Sequence, residues 1–328
     1  MLEQSDQKII RMIEKETEKG NLDNISRTEF YQKYYIRNPE IKWAYLASFV
    51  SRNAGWAMTD LKSRPFAVLL DEKLRNDLFM TYERANWLIF SDAFPQLLIY
   101  QWSKRQGKPY FHLLPKFGVS NWISEKWLEF WQKKDEERLM IALIVNEQHL
   151  IQRPVLDQTF YKKQVFNSAA FKWQDRLHFS TVLFPDKKGR LTGSSVSDFT
   201  KTDKRIELGK KLAWILFHSD QKEEMADFHQ SIPHTGSRKD YQRFLKRRYP
   251  KTPMVRSSYP VITHHRDFKF DWSIHLLKNP DRYLKQLKPV KRFNLTEWYE
   301  EKLHQMEVAV RIEEFYKSTM KQKGDSYR

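Results

Sequence analysis

The sequence predicts a mainly α fold, a multi-helix globular domain with at most one small β-hairpin, around residues 177–199. Three observations carry that expectation. Apolar side chains recur at three- and four-residue intervals through most of the chain, the period of a helix with one buried face. The 328 residues include only 9 glycines, too few for repeated tight hairpins or Gly-rich nucleotide loops. One stretch breaks the helical texture: Leu177 to Phe184 is β-branched and aromatic, and the turn Pro185-Asp186-Lys187-Lys188-Gly189 leads from it to Leu191–Phe199. With 22 Phe, 15 Tyr and 11 Trp, the chain can also fill a sizeable core.

The elements follow in order. Residues 7–19 place Ile9, Ile10 and Ile13 on one helical face and end at Gly20. Ser26-Arg27-Thr28-Glu29 has capping-box spacing and starts a short aromatic helix through Tyr35. Asn38-Pro39 offers an N-cap and an N1 proline for a helix over 39–62, apolar on almost every side from Ile41 to Val50 and therefore central. Leu74, Leu78, Trp87 and Phe90 mark a helix from about Glu72 to Ala93, which Pro95 is expected to kink or restart before it continues to Gln106. Tyr110 to Gly118 reads as a loop. Ser120 and Asn121 cap a helix reaching toward Ile151, solvated or broken across Gln132–Arg138. Pro154 marks a soft boundary within one mostly helical unit, 1–328. Beyond it come a helix over 156–176, the hairpin, and a helix at 203–217 that 221–229 continues. Pro250, Pro253 and Pro260 make 250–272 irregular, and a short helix near 281–287 precedes the last one, striped by Tyr299, Leu303, Met306 and Val310.

Charge divides the chain. Residues 1–150 hold 22 lysines and arginines against 20 acids, while residues 151–328 hold 36 against 21, so nearly all of the net +17 lies in the second half. A field of that kind attracts polyanions. Zero cysteines exclude disulfides, thiolate zinc sites and cysteine nucleophiles. Met1–Asp6 is acidic and polar, unlike a secretory leader, and the longest apolar run, Leu139 to Val145, is too short to cross a bilayer. The expectation is a cytoplasmic protein with no membrane span.

Familiar catalytic signatures are missing: no Walker A loop, no Gly-x-Gly-x-x-Gly, no Gly-x-Ser-x-Gly. His265-Arg266-Asp267 matches a kinase triplet, but the position that needs asparagine is Trp272. Acid-x-x-His spacing occurs at Asp175/His178 and Glu301/His304, no more often than chance supplies it, and His229, His234, His264 and His265 lack any spacing that forces convergence with Asp227 or Asp267. Neither a metal nor a cofactor is expected.

Two constellations remain. Within the central helices, Arg52, Asn53 and Asp60 interrupt one apolar segment, and Glu83 and Arg84 interrupt the other. Charges entering a core must pair, so these predict a network such as Arg52 with Glu83 or Asp60 with Arg84; alternatively they line a catalytic cleft. The second constellation is Thr235-Gly236-Ser237-Arg238-Lys239, leading to Arg243, Lys246, Arg247 and Arg248 with Tyr241, Phe244 and Tyr249 interleaved. Thr235 or Ser237 can cap a helix whose free N–H groups accept an anion, and basic residues interleaved with aromatics suit phosphate contact with base stacking. Lys278, Arg282, Lys285, Lys288, Lys291 and Arg292 add a second basic cluster.

These same stretches carry a resemblance. Arg27-Thr28-Glu29-Phe30-Tyr31, the run Val50-Ser51-Arg52-Asn53-Ala54-Gly55-Trp56-Ala57-Met58-Thr59-Asp60, Tyr82-Glu83-Arg84-Ala85-Asn86-Trp87 and His234-Thr235-Gly236-Ser237-Arg238 resemble the YppC-like proteins of Firmicutes. That resemblance implies a bacterial, cytosolic protein of a Gram-positive lineage, and it brings no catalytic residue or cofactor with it. The reading is thus a non-enzymatic protein that binds a polyanion, nucleic acid foremost, through 234–256 and 278–292. The alternatives are an enzyme with a polar site between the central helices, and a protein–protein interaction module.

Overall fold

The computed structural model describes residues 4–157, 181–246, 250–265, 271–276 and 279–325. The fold is mainly α with one small antiparallel hairpin. Helices α1 (Gln4–Gly20), α2 (Asn24–Arg37), α3 (Lys42–Asp60), α4 (Arg64–Leu69) and α5 (Glu72–Gln106) are followed by a 3-10 segment, Phe111–Phe117. Then come α6 (Asn121–Lys133), α7 (Glu136–Ile151), strands β1 (Thr181–Pro185) and β2 (Leu191–Ser195), α8 (Thr202–His218), α9 (Lys222–Ser231) and α10 (Thr296–Asp325). Single helical turns at Lys239–Gln242 and Val255–Ser258 punctuate the irregular stretch between α9 and α10.

Local chemistry sets most of these boundaries. Asp23 rather than Ser26 caps α2, its carboxylate accepting the Ser26 N–H at 2.7 Å. Asn38 does not start α3. Its N–H instead closes α2 on Tyr34 O and Tyr35 O, because the residue before Pro39 is disfavoured from the helical region, and α3 begins at Lys42. The expected break between α6 and α7 is present, with Lys134 at φ 55° and Asp135 capping α7 through the Arg138 N–H at 2.9 Å. Pro95 does not restart α5, which runs unbroken for 35 residues because Ala93–Leu97 are all buried and packing holds the turn together. The loop expected over Tyr110–Gly118 is largely the 3-10 segment. The helix expected over 156–176 lies outside the described residues, apart from Leu156 and Asp157. In the hairpin, Thr181 pairs with Ser195 and Pro185 with Leu191, and an isolated bridge joins Thr192 to Asn294.

Two apolar clusters form the core, and α3 passes through both. Trp43, Ala44, Leu46 and Phe49 belong to the larger, with α1, α2, α5, α6, α7 and α8. Trp56, Met58 and Leu61 belong to the smaller, with α4, the hairpin, Phe228 and α10. Both clusters draw on residues from either side of Pro154. The apolar run of α7 is a core element, with Leu139 to Val145 all buried. Among the described residues no helix is long and apolar enough to cross a membrane.

Candidate functional site

A helix buried on nearly every side has nowhere to hydrate polar groups, so each one on α3 needs a partner inside the protein. The partners come mostly from residues 229–241. Arg52 donates to the carbonyl oxygens of His229 (3.1 Å), Ile232 (2.6 Å) and Pro233 (3.0 Å), binding the C-terminal end of α9. No carboxylate lies at ion-pair distance from its guanidinium among the described residues, and burial, against the more distant Asp240 charge, brings its pKa down to about 10. Trp56 Nε1 donates to Asp240 Oδ2 at 3.0 Å, Thr59 Oγ1 donates to Gly236 O at 2.7 Å, and Arg238 forms a two-pronged ion pair with Asp60. Burial works against the Arg238 charge, yet Asp60, Tyr241 and Tyr299 around it raise its pKa well above the usual arginine value. Asn53 faces the hairpin instead, accepting from Leu183 N at 2.9 Å and donating to Thr181 O at 3.3 Å.

The expected pairings therefore need correction. Arg52 does not meet Glu83, and Asp60 does not meet Arg84. Glu83 is held by Arg27 of α2 in a bidentate pair, one arm at 2.9 Å, while Arg84 donates to His265 O at 2.9 Å and lies over Trp87. The reason is reach: α5 presents Glu83 to α2, and the late segment 234–241 lies along α3 before α5 can. Asp60, Glu83, Arg52, Asn53 and Arg84 do not converge on one point.

The 235–240 loop is internally saturated. Thr235 N donates to Asp240 Oδ2 (3.1 Å), Gly236 N to His234 Nδ1 (3.3 Å) and Ser237 N to Thr235 Oγ1 (3.2 Å). Arg238 N donates to Thr252 Oγ1 (2.9 Å), Lys239 N to Ser237 Oγ (3.2 Å) and Asp240 N to Ser237 O (3.0 Å). The anion this loop holds is its own Asp240 carboxylate. Gly236 is required twice over: its φ is +72°, and a Cβ there would lie 2.1 Å from Val255 Cγ2. With the Gly236 N–H donating to His234 Nδ1, His234 Nε2 donates to Asn24 Oδ1 at 2.8 Å; burial lowers the pKa of that ring, while Asp240 nearby acts to raise it.

Lys239, Arg243 and Lys246 are exposed, as are Lys285, Lys288, Lys291 and Arg292, and none has a carboxylate at ion-pair distance among the described residues. Arg247, Arg248 and Lys278 lie outside those residues. Near each group one contact reaches the hairpin: Phe244 O crowds Gly189 in its turn, and Phe293 O accepts the Gly193 N–H of β2 at 2.8 Å.

Sequence reasoning did not anticipate the cavity of about 170 Å³, partly open to solvent, between α2, α3, α5, α7, α8 and β1. Its walls are mostly apolar, with Leu46, Ala47, Val50, Ala57, Ile89 and Leu212 among them. Three polar side chains stand out. Tyr31 is 3% exposed, and its hydroxyl has no hydrogen-bond partner among the described residues. Glu147 accepts from Trp43 Nε1 (3.1 Å) and Gln148 Nε2 (2.8 Å), and burial pushes its carboxyl up to about 7. Arg205 aims its N–H groups at Gln148 Oε1, Gln148 O, Gln152 Oε1 and Phe199 O, all within 3.0 Å, so the nearest guanidinium does not bind the Glu147 carboxylate. A second, more polar depression of about 500 Å³ lies between α2, α5 and residues 255–262, but its charges are already matched, Asp23 with Arg256 at 2.7 Å and Glu83 with Arg27.

Residues 19–300 match the model of a protein family described as a protein of unknown function, DUF2515. The chain belongs to that family. It is 46% identical over 316 residues, 96% of this chain and 98% of the other, to the uncharacterized protein YppC of Bacillus subtilis. No solved structure matches.

The family span contains the whole wall of the cavity, from Arg27 to Leu212, together with the α3 junction. One sequence signal does point to the cavity: Asn146-Glu147-Gln148-His149 is a polar quartet at the end of the most apolar helix. Arg205, in Asp203-Lys204-Arg205 at a helix start, gives no comparable sign. No group of three or more histidines and acids suited to a metal occurs among the described residues.

Proposed function

We propose that the protein binds a compact, mostly apolar molecule, one or two rings in size and bearing a single hydrogen-bonding group, in the cavity between α2, α3, α5, α7 and α8. The observation that carries this reading is the Tyr31 hydroxyl, buried in the cavity wall with no hydrogen-bond partner among the described residues. An unpaired buried hydroxyl costs about 1–3 kcal/mol, and a fold keeps such a group where something else completes it. Size supports the class: an apolar cavity of about 150 Å³ accommodates benzene.

Calorimetric titration with toluene, benzyl alcohol, benzylamine and benzoate tests it, on the native protein and on Ala57→Leu, which fills the cavity. At least one probe is expected to bind saturably to the native protein and to lose measurable affinity in the filled variant. Failure of all four probes ends the reading.

A second reading, polyanion binding, keeps one supporting observation: the exposed cations of 239–246 and 285–292, which have no carboxylate at ion-pair distance among the described residues. Under this reading Lys285→Glu/Lys288→Glu/Arg292→Glu weakens binding to single- and double-stranded DNA, and affinity falls steeply with salt. Binding no better than millimolar at low salt, or indifferent to salt, removes it. Thr235, Gly236, Ser237 and Arg238 have no part in it, since their donors are engaged.

A further inference from the structure

Helix α10 is apolar on two faces. Tyr299, Leu303, Met306 and Val310 are buried against the body of the protein, while Val308, Ile312, Phe315 and Tyr316 are 42%, 54%, 69% and 64% exposed. At about 100° per residue the second set lies roughly 150° round the helix from the first, on the side that faces away from the body. The contacts to α4 agree: Arg64 reaches Glu314 at 2.6 Å and Lys317 Nζ donates to Val68 O at 3.0 Å, both from the body side. Single exposed apolar residues are ordinary, as at Met12 on α1, Ile36 on α2 and Leu128 on α6. Four large ones between 308 and 316 on one helical face form a patch, and a patch marks a surface that another molecule covers.

The patch is complementary to itself. Its midpoint is Ile312. A second copy turned end for end about a two-fold axis there sets Ile312 on Ile312, Val308 beside Phe315 and Ala309 beside Tyr316. Each of these pairs shares a flank as well as a level, since 308 and 315 lie to one side of 312 and 309 and 316 to the other. A smaller side chain therefore meets a ring on both flanks. Charge points the same way. Residues 296–310 hold Glu297, Glu300, Glu301 and Glu307 against Lys302, a formal −3; residues 311–325 hold Arg311, Lys317, Lys321 and Lys323 against Glu313, Glu314 and Asp325, a formal +1. Antiparallel helices set −3 beside +1 at both ends, whereas parallel ones set −3 on −3 and ring on ring. Exposed charges of this kind fix orientation more than affinity.

We propose that the protein forms an antiparallel homodimer through the exposed face of α10, with the two-fold axis at Ile312. The two bodies then sit on opposite sides of the helix pair, because in each copy the body lies behind α10. The contact is small, four large apolar side chains from each copy, so a micromolar rather than a nanomolar dissociation constant is expected. The dimer is independent of the cavity, none of whose lining residues lies on α10.

Sedimentation equilibrium of the full chain, from low to several hundred micromolar, is expected to show a reversible monomer–dimer exchange. Ile312→Asp sets two carboxylates face to face on the axis and is expected to weaken the dimer about a hundredfold. Its circular dichroism stays that of the native protein, because the residue is more than half exposed. Orientation is read by cross-linking, which a chain without cysteine makes unambiguous. With helices packed about 8–10 Å apart, the two Ile312 Cα atoms lie about 5 Å from each other, within disulfide reach. Ile312→Cys is therefore expected to form a covalent dimer under mild oxidation. Glu301→Cys is not, since in the antiparallel pair the two 301 positions are about 33 Å apart; nor is Ile36→Cys, which reports chance collision. A monomer at every concentration overturns the proposal and leaves the patch to a different molecule. A dimer that Ile312→Asp leaves intact overturns it as well, because the interface is then elsewhere. Cross-linking of Glu301→Cys as fast as Ile312→Cys means parallel helices and overturns the antiparallel arrangement.

Discussion

Two regions touch α3 and treat polar groups in opposite ways. Along one face, segment 229–241 is fastened to the helix by Arg52, Trp56, Thr59 and Asp60, and every backbone N–H of residues 235–240 has an acceptor. Along the other, Tyr31 and Glu147 border a cavity with hydrogen-bonding capacity left over. Both regions are polar residues in apolar company, which is what a sequence registers. Backbone hydrogen-bond accounting separates them: every N–H of 235–240 is engaged within the fold, although Arg52 Nε and His229 Nδ1 beside it have no partner among the described residues, whereas the Tyr31 hydroxyl lies in a cavity wall where a further molecule can act.

The largest expected effect lies along the 229–241 face. Arg238→Met leaves Asp60 as a buried, unpaired carboxylate and is expected to lower the unfolding free energy by about 3–5 kcal/mol in urea titration. Adding Asp60→Asn to that variant removes the stranded charge and is expected to recover most of the loss. A cost below about 1 kcal/mol for the single variant would mean that Asp60 is readily hydrated and that the junction is a surface feature.

Next in size is a pH effect in the cavity. Glu147 has a folded pKa of about 7, raised by burial from the ordinary glutamate value of 4.5, so the native state binds more protons than the unfolded chain between those values. Stability from this group is fully present below pH 4.5 and is lost as pH rises toward 7. Glu147→Gln removes the penalty. Relative to the native sequence it is expected to be more stable at pH 8, by up to about 3 kcal/mol, with the advantage vanishing at pH 4. An advantage independent of pH would show that Glu147 titrates normally.

The mainly α class, the break near Lys134 and the hairpin were legible in the sequence because period, caps and turn chemistry are local. That the polar residues of α3 pair within the structure was legible too. Their partners were not: Arg52 binds carbonyls some 180 positions later in the chain, and Asp60 finds Arg238, separations at which local pattern carries no information. The basic, glycine-containing loop read as an anion receptor because nothing in its sequence shows that Asp240 already fills it. Tyr31 passed as one more core aromatic, since an unmet hydroxyl can be seen only once every neighbour is placed.

The smallest expected effect is also the sharpest test of the contrast. Tyr31 and Tyr34 lie one turn apart on α2, are each 3% exposed, and differ in one respect. Tyr34 donates to Leu97 O at 2.9 Å, whereas the Tyr31 hydroxyl has no partner among the described residues. Removing a satisfied buried hydroxyl orphans its acceptor, so Tyr34→Phe is expected to cost about 1 kcal/mol in thermal or urea unfolding of the ligand-free protein. Removing an unsatisfied one relieves a desolvation penalty, so Tyr31→Phe is expected to leave stability unchanged or raise it by about 1 kcal/mol. Equal losses in the two variants would mean that Tyr31 has an internal partner, and the cavity would then join the α3 junction as part of the scaffold.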